Sequence, residues 1–332
     1  MQPGFVDVGC AVIVDHRYRH AITAAGARAT TIDGYCWACS SQLVRRGARL
    51  EQSGRGRKRS FLSYQTGRGA GCAEELWHSG GMVSTVAVIS DIHGMLWALD
   101  RVLEEPAVRS AELLVVTGDH TWGPQPTAVL DRLAELGDRV SLVRGNADRE
   151  LLEMSNGIDV GLADDPLSVW GAAQLTNRHQ ELLTNMPESL TLDVAGFGSV
   201  LFCHATPRND EEVVLVDSRP ERWAEVLQDV HPSVQTIVCG HTHMPFIRLA
   251  GGRLIVNPGS VGLPYGQPGA HWALLDRGSV TLGRALFDSD ELIRQTLRSS
   301  TFPGAAEWLA ETVGQPASDL DALTAFGPRD GR

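Results

Sequence analysis

Residues 86–94 read VAVISDIHG. Four apolar residues run into Ser90 and stop at a carboxylate, Asp91, with an imidazole, His93, two positions on. An apolar run this short predicts a buried strand whose carboxyl end carries chemistry. The following segments repeat the pattern. GMLWALDRVLEE (94–105) spaces its apolar residues as a helix, which Pro106 is expected to stop. LLVVTG (113–118) is a second strand, TAVLDRLAELG (127–137) a helix closing at Gly137, and VSLVRG (140–145) a third strand. This βαβαβ alternation predicts a layered α/β domain.

Further on, residues 150–190 are polar and partly helical, with NRHQELLTNM (177–186) the clearest piece. SVLFC (199–203) and TIVCG (236–240) read as strands around a helix at RPERWAEVLQDV (219–230). Short β segments follow at FIRLA (246–250), LIVN (254–257), HWALLD (271–276) and SVTLGRALF (279–287), separated by the hairpin signals GGR and RGS. The tail is expected to be helical at 290–298 and 304–313 and then to fray. The domain is placed at 82–290 and a C-terminal helical tail at 291–332.

Five apolar runs end in a residue able to bind a metal. VAVIS ends in Asp91 and His93, LLVVTG in Asp119, VSLVRG in Asn146, SVLFC in His204, and TIVCG in His241 and His243. Each has an ordinary reading: an Asp after a strand caps a turn or helix, and a buried His satisfies a neighbour. Those readings do not account for five coincidences. In open α/β sheets ligands bind beyond the carboxyl ends of strands, so the seven side chains can converge on one rim. Seven exceed what one tetrahedral ion takes and suit two ions sharing a carboxylate. Mixed Asp, His and Asn ligation favours Mn, Fe, Zn or Co over calcium or a thiolate site. Two divalent cations outweigh two aspartates and a hydroxide, and the residual positive charge suits an anionic phosphate ester.

The net charge of -11 argues against general nucleic-acid binding, though a local metal charge can still attract a phosphate. No apolar run approaches a membrane span, and no signal peptide is legible. Cys203 and Cys239 lie in apolar runs and read as buried thiols, which suits a cytoplasmic protein. The first 81 residues differ from the rest: they hold 11 Lys and Arg against 6 Asp and Glu, while the remainder holds 18 against 34. They are expected to be a disordered basic extension or not to be natively translated, with Met82 as the natural start. Cys36 and Cys39 form a CxxC without two further ligands at a zinc-site spacing.

The motif order D-x-H (91–93), GD (118–119), GN (145–146), a lone His204 and GHxH (240–243) resembles the calcineurin-like metallophosphoesterases. GDHTWGP, GNAD, HATP and NPGSVG (257–262) are similar to their small bacterial and archaeal phosphodiesterase-like branch, and the resemblance spans 83–287. It implies a four-layer αββα sandwich with two divalent ions, Mn first and Ni, Fe, Zn, Co or Mg as alternatives. One ion would be held by Asp91, His93, Asp119 and His243, the second by Asp119, Asn146, His204 and His241. It implies phosphodiester hydrolysis by a metal-bridging hydroxide, with Asp119, Asn146 and His204 catalytic through it, on a small phosphate-ester or nucleotide-like substrate. Arg208 is expected to clamp the phosphoryl group, against the reading of a solvent-facing arginine. Asn257 and Ser260 are expected to help at the substrate side, against the reading of a structural turn.

Two positions depart from the family pattern. Ala147 stands where many relatives carry a His that serves the leaving group, leaving the general acid unassigned between His120, Arg149 and neither; Met95 replaces a common Asn. Substrates with good leaving groups are therefore expected. The segment 150–190, with Trp170, and the loop 209–217 are expected to form a lid. A catalytically weak scaffold or protein-interaction module on the same fold, a phosphoprotein or dinucleoside-polyphosphate phosphatase, and a homo-oligomer stay open.

Overall fold

The computed structural model of the chain describes residues 81–314 and 317–331. The readings made on residues 1–80, including the basic extension and the Cys36–Cys39 pair, lie outside them.

Two five-stranded sheets stack face to face. The first has the order β10-β9-β1-β2-β3 and the second β4-β5-β6-β8-β7. In the first, β1 (Thr85–Ile89), β2 (Leu113–Val116) and β3 (Val140–Leu142) are parallel. There β9 (Ala270–Asp276) and β10 (Ser279–Ala285) add antiparallel strands at the edge. In the second, β5 (Gly198–Cys203), β6 (Val234–Val238) and β8 (Arg253–Asn257) are parallel. They are flanked by antiparallel β4 (Ser189–Val194) and β7 (Phe246–Ala250).

The side-chain period of two builds the layers. Along β1, Val86 and Val88 point to the second sheet and meet Val200, Phe202 and Val256, while Ala87 and Ile89 point to the helices. That helical layer holds α1 (Leu96–Glu104), α2 (Pro106–Ser110), α3 (Pro126–Ala134), α8 (Ser289–Ser299) and α9 (Ala305–Thr312). On the far side, α7 (Pro220–Val226) covers the second sheet through Trp223 and Val226. The result is the expected αββα sandwich, with both faces of each central strand dry. Full burial of each Val, Leu or Ile is worth about 1.5–3 kcal/mol.

Pro106 stops α1, which ends at Glu104, and then begins α2 at its first position, where a missing N–H costs nothing. Two sequence expectations change. The polar stretch 150–190 holds α4 (Asn146–Ser155), α5 (Pro166–Gln174), α6 (Asn177–Asn185) and the start of β4. The end of the chain does not fray: α10 (Asp319–Phe326) and a 3-10 turn (Gly327–Arg329) follow α9. Ser318 caps α10 by accepting the Asp321 amide, and Ala322 is fully buried beside Leu215 and Met244. No helix among the described residues is long and apolar enough to cross a membrane. Cys203 and Cys239 are buried free thiols.

Candidate metal centre

The carboxyl ends of the parallel strands from both sheets meet on one rim. Of six non-glycine residues with positive φ among the described residues, five are predicted ligands: Asp91 (55°), His93 (50°), Asp119 (53°), His241 (65°) and His243 (55°). Left-handed backbone is disfavoured for side chains with a Cβ and persists where surrounding structure enforces it, most often at functional sites. Here it turns each strand end sharply enough to aim the next side chain back at the rim.

The enforcing contacts are specific. The Asp91 amide donates to the Gly118 carbonyl at 3.0 Å, and the His93 amide to the Asp119 carbonyl at 2.9 Å. The Asp91 carboxylate accepts the His241 amide at 3.1 and 3.2 Å. Gly240 is needed because a Cβ there would lie 1.9 Å from Ser90 Oγ and 2.7 Å from Asp91 Oδ2. Asn146 is the first residue of α4, so the helix N-terminus faces the site, and the Ala147 amide donates to Asp119 Oδ1 at 2.9 Å.

Six of the residues form two groups, Asp91–His93–His243 and Asp119–His204–His241, each with ligand atoms within 4.8 Å of one another. Asp119 stands between the groups, Oδ2 3.7 Å from His93 Nε2 and Oδ1 3.4 Å from His204 Nε2. Asn146 Oδ1 is 3.2 Å from His204 Nε2, and Asp91 Oδ1 is 3.3 Å from His243 Nε2. Within the first group His93 Nε2 and His243 Nε2 stand 3.0 Å apart.

This donor set fits divalent cations. His204 Nδ1 donates to the Thr117 carbonyl at 2.7 Å and His243 Nδ1 to the Leu263 carbonyl at 2.8 Å. Each neutral ring then presents its Nε2 lone pair to carboxylate or amide oxygens that also carry only lone pairs. Such an arrangement needs positive charge between its members, and a ring fixed by an N–H to a carbonyl is the usual support of a metal-binding His. Protons partly meet the need. Burial pushes His204 down, but Asp119 overrides it and holds the ring up to about 10. Burial likewise opposes, and Asp91 raises, His243. In the same two groups burial, reinforced by the raised neighbour, pushes His93 down to about 4 and His241 well below its usual value. Each group thus has one imidazole whose protonated form the carboxylates favour and one whose protonated form burial disfavours.

The other predicted residues fall elsewhere. Arg208 does not line the cleft; its guanidinium is engaged by Glu212 and, at 3.2 Å, by Glu225, whose acidity satisfies it locally. Asn257 and Ser260 are buried beneath the site rather than facing it. Asn257 Nδ2 donates to the Gly240 carbonyl at 2.7 Å and Ser260 Oγ to the Asp91 carbonyl at 2.7 Å, so they hold the ligand loops. His120 is fully buried against Asp148 at 2.7 Å, and Arg149 is bound by Asp210 and Glu211, so neither reaches the cleft. Met95 is fully buried in the core beneath α1.

Over the rim lies a small, partly open cleft of about 100 Å³. Its walls include Ala147, Trp122, Tyr265, Phe326 and Arg329. None of the last four was singled out from sequence. Trp170 packs on Phe302 and does not line the cleft; α5 acts instead through Asp165 and Ser168, which accept the Trp122 indole N–H at 3.2 and 3.1 Å. The loop 209–217 packs its Val213 and Leu215 under α10. The one sequence signal for the C-terminal wall was Ser318 with an acidic residue three positions on, a helix-start pattern.

Comparison with known proteins agrees with this architecture. Residues 85–279 match the calcineurin-like phosphoesterase superfamily domain. The chain is 30% identical over 200 residues to Phosphodiesterase YfcE of Escherichia coli K12, covering 56% of this chain and 84% of that protein. It is 26% identical over 254 residues to Uncharacterized protein MJ0912 of Methanocaldococcus jannaschii, covering 69% and 97%. The crystal structure of a metallophosphoesterase from Sphaerobacter thermophilus superposes with a TM-score of 0.54 at 23% identity, covering 69% of this chain and all of that one. That likeness is one of fold.

Proposed function

The chain belongs to the calcineurin-like phosphoesterase superfamily, and from that premise we propose that it is a metal-dependent phosphoric ester hydrolase that prefers diesters to monoesters. The observation that carries the reading is the convergence of six side chains into two ligand groups, with Asp119 between them and Asn146 beside His204. The diester preference is supported by Ala147, which lines the cleft where a proton-donating His would serve a poor leaving group, and by similarity to a protein named as a phosphodiesterase.

Asp91, His93, Asp119 and His243 would hold one divalent cation, and Asp119, Asn146, His204 and His241 the other, with Mn favoured. When bound, such a pair lowers the pKa of water and neutralises phosphoryl charge. The chain's own residues do the rest. Asp119, fixed by the Ala147 amide, sets the spacing of the two groups. Thr117 and Leu263 carbonyls keep His204 and His243 in the tautomer that offers Nε2. Asn257 and Ser260 hold the loops on which the ligands sit. The α4 N-terminus adds partial positive charge toward a developing anion. Buried free thiols are in keeping with a cytoplasmic setting.

The test is metal content by plasma mass spectrometry together with hydrolysis of bis-(p-nitrophenyl) phosphate and p-nitrophenyl phosphate, each with Mn, Ni, Mg and Zn. Two equivalents of metal and faster turnover of the diester are expected, with Asp119→Asn losing metal from both groups together. Protein that holds no divalent ion, or turns over neither ester, overturns the reading, and a faster monoester overturns the diester preference.

A further inference from the structure

The family match ends at residue 279, yet the chain's last residues return to the metal rim. Phe326 closes α10 and Arg329 lies in the 3-10 turn after it; both line the cleft with Asp119 and His241. The segment is fastened at several points. Ser218 donates its hydroxyl to the buried Asp330 carboxylate while accepting the Leu215 amide at 2.6 Å. Arg219 donates to the Gly331 carbonyl at 2.8 Å, and Arg329 itself donates to the Glu211 carbonyl at 2.6 Å. With Ala322 fully buried, the tail is a fixed wall.

That wall completes an aromatic slot. Three rings stand against three different histidines of the site: Trp122 against His93 at 5.6 Å, Tyr265 against His243 at 6.0 Å, and Phe326 against His241 at 5.8 Å. Phe326 and Tyr265 meet edge to face at 6.1 Å. Among the described residues lining the cleft, Arg329 carries the permanent positive charge. Its planar fork suits two phosphoryl oxygens, and aromatic faces suit a planar ring.

We infer that the C-terminal segment supplies the substrate subsite: Arg329 takes the non-bridging phosphoryl oxygens, and the Trp122–Tyr265–Phe326 slot takes a planar ring on the ester, a nucleobase or an aryl group. The inference rests on the phosphoesterase reading and narrows its substrate class. Arg329 is a substrate-binding residue in it, and Phe326 a specificity residue.

The experiment uses the full metal-loaded chain with bis-(p-nitrophenyl) phosphate as reporter. Inhibition constants are measured for inorganic phosphate, methyl phosphate, phenyl phosphate and adenosine 5′-phosphate, with metal content measured in parallel. Arg329→Gln is expected to keep its metal and to weaken inorganic phosphate by roughly 10- to 100-fold, the loss of charge-assisted hydrogen bonds. Phe326→Leu keeps the apolar packing on Val213 and Leu215 and removes the ring. It is expected to leave inorganic phosphate unchanged and to cut the wild-type preference for ring-bearing over methyl phosphate, a preference of about 5- to 100-fold. Which of phenyl phosphate and adenosine 5′-phosphate gains more identifies the ring. If wild type binds metal and hydrolyses the reporter but does not prefer a ring, or if both variants match wild type in all four constants, the subsite is refuted and the hydrolase reading stands. If wild type neither binds metal nor hydrolyses the reporter, both fall. Should Arg329→Gln not fold, the Phe326→Leu comparison decides the inference by itself.

Discussion

Replacing Gly145 by alanine tests whether Asp119 sets the whole centre. Gly145 has φ −97° and ψ 174°, which any residue adopts, so an added methyl acts only by its volume. An ideal Cβ there would lie 2.2 Å from Asp119 Oδ1 and 2.4 Å from the Asp119 amide nitrogen. Ordinary contact begins near 3.4 Å, so moving the oxygen out from 2.2 Å displaces it by about 1.2 Å. The displacement cannot be absorbed by a side-chain swing, because the second clash is with backbone. That backbone is itself held by the His93 amide on the Asp119 carbonyl at 2.9 Å. A misplacement of about 1 Å costs on the order of 100-fold in rate, and overpacking a tight site costs about 1–3 kcal/mol of stability. Gly171→Ala in α5 is the control: its Cβ would meet only the Leu151 side chain, at 3.3 Å, so activity should persist. The assay is kcat/KM for bis-(p-nitrophenyl) phosphate and metal content after dialysis. A Gly145→Ala protein with wild-type metal content and wild-type kcat/KM would refute the assignment of Asp119 as the shared, sterically fixed ligand.

Chelation of the metals should lower the melting temperature, since each ion bound only by the folded state stabilises by about 2.7 kcal/mol at a hundredfold excess over its Kd; an unchanged scan after chelation contradicts the two-site reading. Asp148 is buried, and against that burial His120 and then the Gly145 amide hold its carboxyl below the usual range. A depressed carboxyl stabilises fully above its unfolded pKa, about 4, and the contribution is lost as pH falls through the folded value. Metal-free Asp148→Asn should therefore be roughly 3 kcal/mol less stable at neutral pH, with the gap to wild type closing on acidification below about 4; a gap that stays constant into acid would count against this. With Ala147 in place of a proton donor, p-nitrophenyl diesters should turn over roughly 100- to 10,000-fold faster than simple alkyl diesters; equal rates would show that another group protonates the leaving oxygen.

The ligand residues were legible because each sits where an apolar run stops, and an apolar run of four or five residues names a buried strand without help from the rest of the chain. Asp91, Asp119, His204 and His241 follow such runs directly, and parallel strands place those ends on one rim. A layered α/β domain was legible for the same reason, since strands buried on both faces need cover on both; the four-layer αββα order came from the family resemblance of the motifs.

The walls of the cleft were not legible. Trp122, Tyr265, Phe326 and Arg329 come from segments up to about two hundred residues apart, and nothing in their local pattern distinguishes them from core or surface residues. Arg208 shows the converse: its place after a ligand, in HATPR, suggested a phosphate clamp, but Glu212 and Glu225 claim the guanidinium. Asn257 and Ser260 fell near the site in sequence and lie beneath it in space, because their hydrogen bonds go to the Gly240 and Asp91 carbonyls. Strand-end position is a local property that one-dimensional order carries. The partner of a charged side chain, and the face a terminal helix presents, depend on which distant surfaces meet, and only the packed chain decides that.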